Sequence, residues 1–196
     1  MNANIKEIKG NWDKGYALDK HTLRSVFMGN NQFGHPTFET IRSEAGEALC
    51  RLKYGREWIQ TASLAQAVVA QLIPRFGKIG LIVPMPASNV RAWQPVTEVA
   101  RAIATTLKVP VFENIVVAVP ASGAQRQLKN MHTKEEKATA LAGRFALNEA
   151  IENEGRWNAL LLDDLFDTGA SMEAACAVLR TYRKIAKIYA AALTWK

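Results

Sequence analysis

The stretch ALLLDDLFDTGAS, Ala159 to Ser171, decides the reading of this chain. Ala159, Leu160, Leu161 and Leu162 are a short apolar run, the pattern of a strand buried on both faces. Asp163 and Asp164 stand where that strand is expected to end, at the carboxyl edge of a parallel sheet. Open α/β sheets bind their ligands there. Thr168, Gly169, Ala170 and Ser171 then make a small-residue turn into a helix. Backbone N–H groups at a helix start, with hydroxyl donors beside them, form an anion site. Carboxylates next to an anion cradle suit a ligand that carries both hydroxyls and phosphate, a sugar phosphate.

An acidic strand end before a turn also occurs in flavodoxin-like receivers, which do not need the Thr-Gly-x-Ser turn. The segment resembles the 5-phosphoribosyl-1-pyrophosphate (PRPP) signature of type I phosphoribosyltransferases. That signature is four apolar residues, two acids, a short spacer, Thr-Gly, any residue, then Thr or Ser, and every position matches. The resemblance implies an α/β fold with a mainly parallel central sheet, helices on both faces and a small N-terminal extension or hood. It places Asp163 and Asp164 on the ribose hydroxyls and on the metal. It makes Asp167, Thr168, Gly169, Ala170 and Ser171 the loop that holds the 5-phosphate.

A second resemblance runs from about residue 38 to 194 and is to the ComF type, the competence-associated phosphoribosyltransferases. Its pieces are Leu52-Lys53-Tyr54-Gly55, the strand from Ile79 to Pro86, Arg91-Ala92-Trp93-Gln94, then Gln125 and a basic stretch leading to Gly143-Arg144-Phe145. Ala92 stands where those relatives carry glycine, and their four-cysteine zinc ribbon is missing. The resemblance implies a pyrophosphate loop at Met85, Pro86, Ala87 and Ser88 that binds through its backbone, with Arg91 following. An arginine pairs bidentately with phosphate oxygens, although a solvated arginine at a helix entrance is an equal reading. Lys53 likewise matches the ComF-type pattern, while a lone lysine is usually solvated.

Asp167 separates the chain from many relatives, which carry Thr there. Asp-Thr-Gly resembles the hypoxanthine–guanine phosphoribosyltransferases, where that aspartate is the proposed general base. Two readings of Asp167 stand: a base on the acceptor's ring nitrogen, or a cap on the helix that follows. Lys196 falls near the place of the lysine that reads the purine 6-oxo group in those enzymes. Residues 122–137, with Arg126, Lys129, Lys134 and Lys137, correspond to a mobile loop that closes over the reaction and excludes water. A charged surface helix is the plainer reading.

Composition sets the outer bounds. The 196 residues suffice for one α/β domain with a small appendage. No apolar run is long enough to cross a bilayer, and the start MNANIKEIKG lacks a signal-peptide core, so a cytoplasmic location is expected and no membrane partner. Cys50 and Cys176 are not in a C-x-x-C pair, which excludes a cysteine zinc site and argues against a disulfide framework. Cys176 shares a helical stripe with Met172, Ala175 and Leu179, a core pattern. His21, His35 and His132 have no ligand spacing and read as surface or loop residues. The net charge of +7 suits a polyanionic small ligand and equally nucleic acid.

Residues 1–37 read as an N-terminal extension, an antiparallel hairpin with Trp12, Tyr16, Leu18, Val26 and Phe27 supplying burial. Residues 38–196 read as the main domain. Thr37 is expected to cap a helix running to about Lys53, with Phe38, Ile41, Ala45, Ala48, Leu49 and Leu52 at helical spacing. Further helices are expected at 57–73 and Pro95–Leu107, and from the turn to about Arg183. Strands are expected at Ile79–Val83, Val109–Phe112, Ile115–Val119, around Phe145–Leu147 and at Ile188–Thr194. Strands alternating with helices imply a parallel sheet with right-handed crossovers.

The resemblance implies PRPP as co-substrate, Mg²⁺ as cofactor, and transfer of the phosphoribosyl group to a nitrogen acceptor such as a nucleobase, with pyrophosphate released. Homodimers are common in this fold. The alternative is a regulator or adaptor that senses PRPP without turnover and works beside a nucleic-acid-associated partner in DNA uptake or an anti-phage retron module.

Overall fold

Leu160 and Leu162 pack on one side of the central sheet and Ala159 and Leu161 on the other, as the two-residue period of a strand requires. The computed structural model of the chain describes residues 1, 3–87, 93–119 and 143–196. Ser88, Arg91 and Ala92 lie outside the described residues, and so does the 122–137 segment with Gln125 and His132.

The strands are β1 (Lys6–Glu7), β2 (Lys14–Lys20), β3 (Thr22–Asn30), β4 (Pro36–Arg42), β5 (Leu81–Pro84), β6 (Val116–Ala118), β7 (Phe145–Leu147), β8 (Trp157–Phe166) and β9 (Ile185–Trp195). The central sheet has the order β1-β2-β9-β8-β5. β2, β9, β8 and β5 are mutually parallel, and β1 is an antiparallel edge. Helices α1 (Glu44–Cys50), α2 (Ile59–Gln71) and α3 (Pro95–Leu107) bury Leu49, Leu64, Val68 and Ile103 against one face. Helix α4 (Ala170–Arg180) covers the other face with Met172, Ala175, Cys176 and Leu179. The architecture is therefore α/β, a mainly parallel sheet with helices on both faces. The Cys176 thiol is buried, and that burial pushes its pKa up to about 11.

The N-terminal residues depart from expectation in two ways. Lys14–Lys20 is a strand of the main sheet, paired in parallel with β9 from Lys14↔Tyr189 to Lys20↔Trp195. Leu18 enters one core and Ala17 the other. A hairpin does form, but from β3 and β4, so position 37/38 falls inside β4. Val26 and Phe27 are exposed on that hairpin rather than buried.

The expected helix from 38 to 53 is likewise corrected. Residues 36–42 carry Thr37, Phe38, Thr40 and Ile41, side chains suited to a pleated surface, and they pair with β3. The helix starts after Ser43, whose Oγ accepts the Gly46 N–H at 3.0 Å, so Ser43 and not Thr37 is the cap. A β-carbon at Gly46 would lie 2.1 Å from the His21 carbonyl oxygen. Glycine there lets α1 press against the corner between β2 and β3. A π-helical turn, Arg51–Gly55, follows and carries Lys53 to the carboxyl end of the sheet.

Candidate functional site

β5 ends opposite Leu162, where Pro84 pairs with it, and the Met85 N–H donates to the Leu162 carbonyl at 2.8 Å. β8 does not stop at the acids. It continues beside β9 alone, with Asp163↔Ala192, Leu165↔Thr194 and Phe166↔Trp195 in register. The expected strand end thus moves on to Phe166, because β9 is long enough to pair with it. Asp163 and Asp164 still sit where the sheet has lost one neighbour, and both are half-buried.

Adjacent strand residues point to opposite faces, so the two acids part company. Asp164 turns to the side of α1 and forms an ion pair with Lys53. Asp163 shares the α4 side with Leu161, and its Oδ1 accepts the Asp164 N–H at 2.8 Å. Burial, and then the negative charge of Asp164, push the Asp163 carboxyl up to about 7. The Asp164 N–H bond and the Lys53 ammonium pull the other way.

The backbone of Asp164 is held by residues that the sequence reading passed over. Thr194, fully buried on β9, donates its hydroxyl to the Asp164 carbonyl at 2.9 Å. His21 Nδ1 lies 3.2 Å from the same Thr194 oxygen. Since the threonine proton goes to the carbonyl, the Nδ1 of His21 must carry the proton that completes this contact. Burial first, and then the charges of Arg42 and Lys53, lower the His21 pKa. His21, expected as a surface or loop residue, lies in the connection between β2 and β3 and is half-buried in this relay.

The turn after β8 is built around Gly169, the N-cap of α4, at φ +82°. A β-carbon there would meet Phe166 Cε2 at 2.8 Å, so only glycine fits the turn. Gly169 makes no side-chain cap, and its carbonyl accepts the Glu173 N–H at 2.8 Å as α4 begins. Thr168 is half-buried, Ala170 buried and Ser171 exposed. Asp167 is exposed, two residues ahead of the N-cap, with Oδ2 3.5 Å from Lys196 Nζ. The Lys196 N–H donates to the Phe166 carbonyl at 3.1 Å, which ties the last residue to the turn.

Of the expected pyrophosphate loop, Met85 is the first residue after β5. Its N–H is committed to Leu162 and its side chain is buried. Pro86 is half-buried and Ala87 exposed. A groove of about 720 Å³ lies elsewhere, between α1 and α2, lined by residues including Arg42, Glu47, Arg51 and Gln66. It does not include the acids, whose arrangement of carboxylates, lysines and helix start is the better candidate on chemical grounds. No group of His, Cys, Asp and Glu suited to holding a metal through protein ligands alone occurs among the described residues.

No family model matches the sequence, and no curated protein matches it. Several solved structures are similar, among them phosphoribosyltransferases and a UMP synthase. One is the adenine phosphoribosyltransferase of Trypanosoma brucei in complex with AMP, pyrophosphate and ribose-5-phosphate, at 12% identity and TM-score 0.47, over 98% of this chain and 74% of that one. Another is a hypoxanthine phosphoribosyltransferase from Staphylococcus aureus, at 12% identity and TM-score 0.42, over 69% of this chain and 63% of that one. A third is the UMP synthase of Leishmania donovani, at 14% identity and TM-score 0.39, over 85% of this chain. The chain spans 27% of that synthase's length and under two thirds of the hypoxanthine enzyme. The activities and ligands named are those of the neighbours.

Proposed function

We propose that this chain binds PRPP with Mg²⁺ and transfers the phosphoribosyl group to a nitrogen acceptor, a nucleobase being the first class to try. One observation carries the reading: two half-buried carboxylates stand on β8 where it runs past the end of β5, a few residues ahead of a glycine-capped helix start.

Each residue then has a physical task. Asp163 and Asp164 accept hydrogen bonds from the ribose hydroxyls. The backbone N–H groups of Thr168, Gly169, Ala170 and Ser171, with the two hydroxyls, hold the 5-phosphate at the positive end of the α4 dipole. Lys53 and Lys196 add positive charge on either side. Pro86, Ala87, Ser88 and Arg91 are assigned to pyrophosphate. The bond from C1 to the pyrophosphate oxygen breaks, its electron pair leaving with pyrophosphate, and the acceptor nitrogen attacks C1. Asp167, exposed beside Lys196, is assigned the proton that this nitrogen loses.

The donor set fits a hard divalent cation, which prefers carboxylate, hydroxyl and phosphate oxygens. Burial and a like charge oppose ionisation of Asp163, and a cation beside it offsets both. When bound, Mg²⁺ neutralises charge on the departing pyrophosphate.

Titration calorimetry with PRPP and Mg²⁺ tests the binding step. Heat of binding is expected for the natural chain and its loss for the Asp163→Asn/Asp164→Asn double variant. No binding by the natural chain, or equal binding by the variant, overturns the site. Pyrophosphate release across a panel of nucleobases then tests the transfer.

A further inference from the structure

β2, β9 and β8 run parallel and end level: Lys20 pairs with Trp195, and Trp195 with Phe166. The next residues of the three strands are His21, Lys196 and Asp167. An imidazole, an ammonium and a carboxylate therefore follow one another along the carboxyl edge of the sheet. Backbone bonds hold the row in place. The His21 N–H donates to the Trp195 carbonyl at 2.7 Å, and the Lys196 N–H to the Phe166 carbonyl at 3.1 Å. The proposed transfer gives Asp167 and Lys196 a task, and His21 none.

The His21 ring is oriented from inside. Its Nδ1 donates to the hydroxyl of the fully buried Thr194 at 3.2 Å, because that hydroxyl's own proton goes to the Asp164 carbonyl. The ring is half-buried, so the edge it leaves open is the one opposite Thr194, which carries Nε2. That nitrogen has no hydrogen-bond partner among the described residues. Burial, with the positive charges of Arg42, Lys53 and Lys196, disfavours an imidazolium against the opposing pull of Asp164. In a neutral ring with its proton on Nδ1, Nε2 is a lone-pair acceptor. Neither neighbouring ammonium fills that role: Lys53 is paired with Asp164, and Lys196 lies beside Asp167.

The place of His21 on the edge decides which part of a ligand it meets, and this step rests on the PRPP reading. The ribose then lies on Asp163 and Asp164 of β8. Pro86 and Ala87, assigned to pyrophosphate, follow β5 on one side of β8, while β9 and β2 lie on the other. The acceptor nitrogen attacks C1 from the side away from the departing pyrophosphate, in line with the bond that breaks. That is the side of Lys196 and His21. We propose that His21 is a specificity-determining residue, and that the acceptor is a ring bearing an amino group, rather than an oxo group, where it meets Nε2. An amino group donates to the lone pair. An oxo oxygen sets one lone pair against another and leaves the imidazole nitrogen unpaired once water is displaced. Lys196, which the resemblance places near a 6-oxo group, has its ammonium 3.5 Å from the Asp167 carboxylate instead.

Titration calorimetry on the full chain tests this at about pH 8, where an ordinary imidazole is neutral. Ribose 5-phosphate probes the acids and the phosphate turn without a base. AMP against IMP, and CMP against UMP, then compare an amino with an oxo group on the same phosphoribosyl anchor. The natural chain is expected to bind the amino member of at least one pair ~10-fold or more tightly than its oxo partner. His21→Asn keeps a side-chain N–H for Thr194 and removes the acceptor at Nε2, so the preference is expected to disappear. A relay that only positions Asp164 would not move this ratio. Equal affinities within both pairs, a preference for the oxo members, or a preference that survives in His21→Asn overturns the inference and leaves the PRPP site standing. No binding of ribose 5-phosphate overturns the site, and the inference with it. The comparison of the four nucleotides on the natural chain decides the matter even where His21→Asn fails to fold.

Discussion

Thr194→Val removes one hydroxyl and little else, because valine replaces threonine at almost the same shape. The hydroxyl donates to the Asp164 carbonyl and accepts from His21 Nδ1, so both bonds go at once. Thr194 is fully buried, and a valine methyl cannot replace either contact. A buried polar group left without its partner costs about 1–3 kcal/mol. The half-buried positions of His21 and Asp164 let water recover part of that. A net loss of about 2 kcal/mol follows, which for a chain of this size lowers the melting temperature by roughly 4–8 °C. The assay is urea and thermal unfolding of the natural chain, Thr194→Val and Thr194→Ser. Serine keeps the hydroxyl and loses a methyl group, about 1 kcal/mol, so it is expected to fall between the other two. The cycle with His21→Leu isolates the imidazole, and coupling of roughly 0.5–1.5 kcal/mol is expected for one hydrogen bond. Valine as stable as threonine, with serine the weakest of the three, would refute the relay.

Two further outcomes are expected from the same site. Gly169→Ala must hold a side chain at φ +82° with its β-carbon 2.8 Å from Phe166, a strain of about 1–3 kcal/mol; calorimetric melting checks it, and an unchanged midpoint counts against the turn geometry. Asp163 is raised to about 7, whereas an aspartate in the unfolded chain titrates near 4. Between those values the folded chain keeps a proton that the unfolded chain has released, so stability is expected to fall as pH rises through that window. Asp163→Asn should flatten this fall in urea titrations across the window, and identical slopes in the two proteins would contradict the burial of that carboxyl.

Much of the fold was legible because it rests on local periodicity. The alternation of Ala159 to Leu162 between two cores follows from the strand period, and α3 spans the residues its pattern predicts, Pro95–Leu107. The stripe of Met172, Ala175, Cys176 and Leu179 is buried as expected. The place of β2 was not legible, since a partner near residue 190 leaves no trace in KGYALDK itself. The segment from Phe38 to Leu52 misled for a related reason. Its apolar residues keep helical spacing, yet Ser43 divides a strand from a helix in the middle of it. Thr194 and His21 carried no motif, because their role depends on β2 and β9 lying side by side.

The geometry also sharpens what the acid pair is for. Adjacent residues on a strand cannot turn the same way, so Asp163 and Asp164 occupy opposite sides of one sheet end. Asp164 is compensated within the protein: Lys53 balances its charge, and Thr194 fixes its backbone. Asp163 has the same Lys53 ammonium only as a minor influence, and burial and its neighbour's charge dominate it. The two carboxylates therefore meet a ligand in different states, one already paired with a cation and one short of one. A ligand that brings its own cation and its own hydroxyls gains most at Asp163, while at Asp164 it must compete with Lys53. On the proposed reading, Asp163 gains more from the metal and Asp164 keeps the ribose in register with the turn.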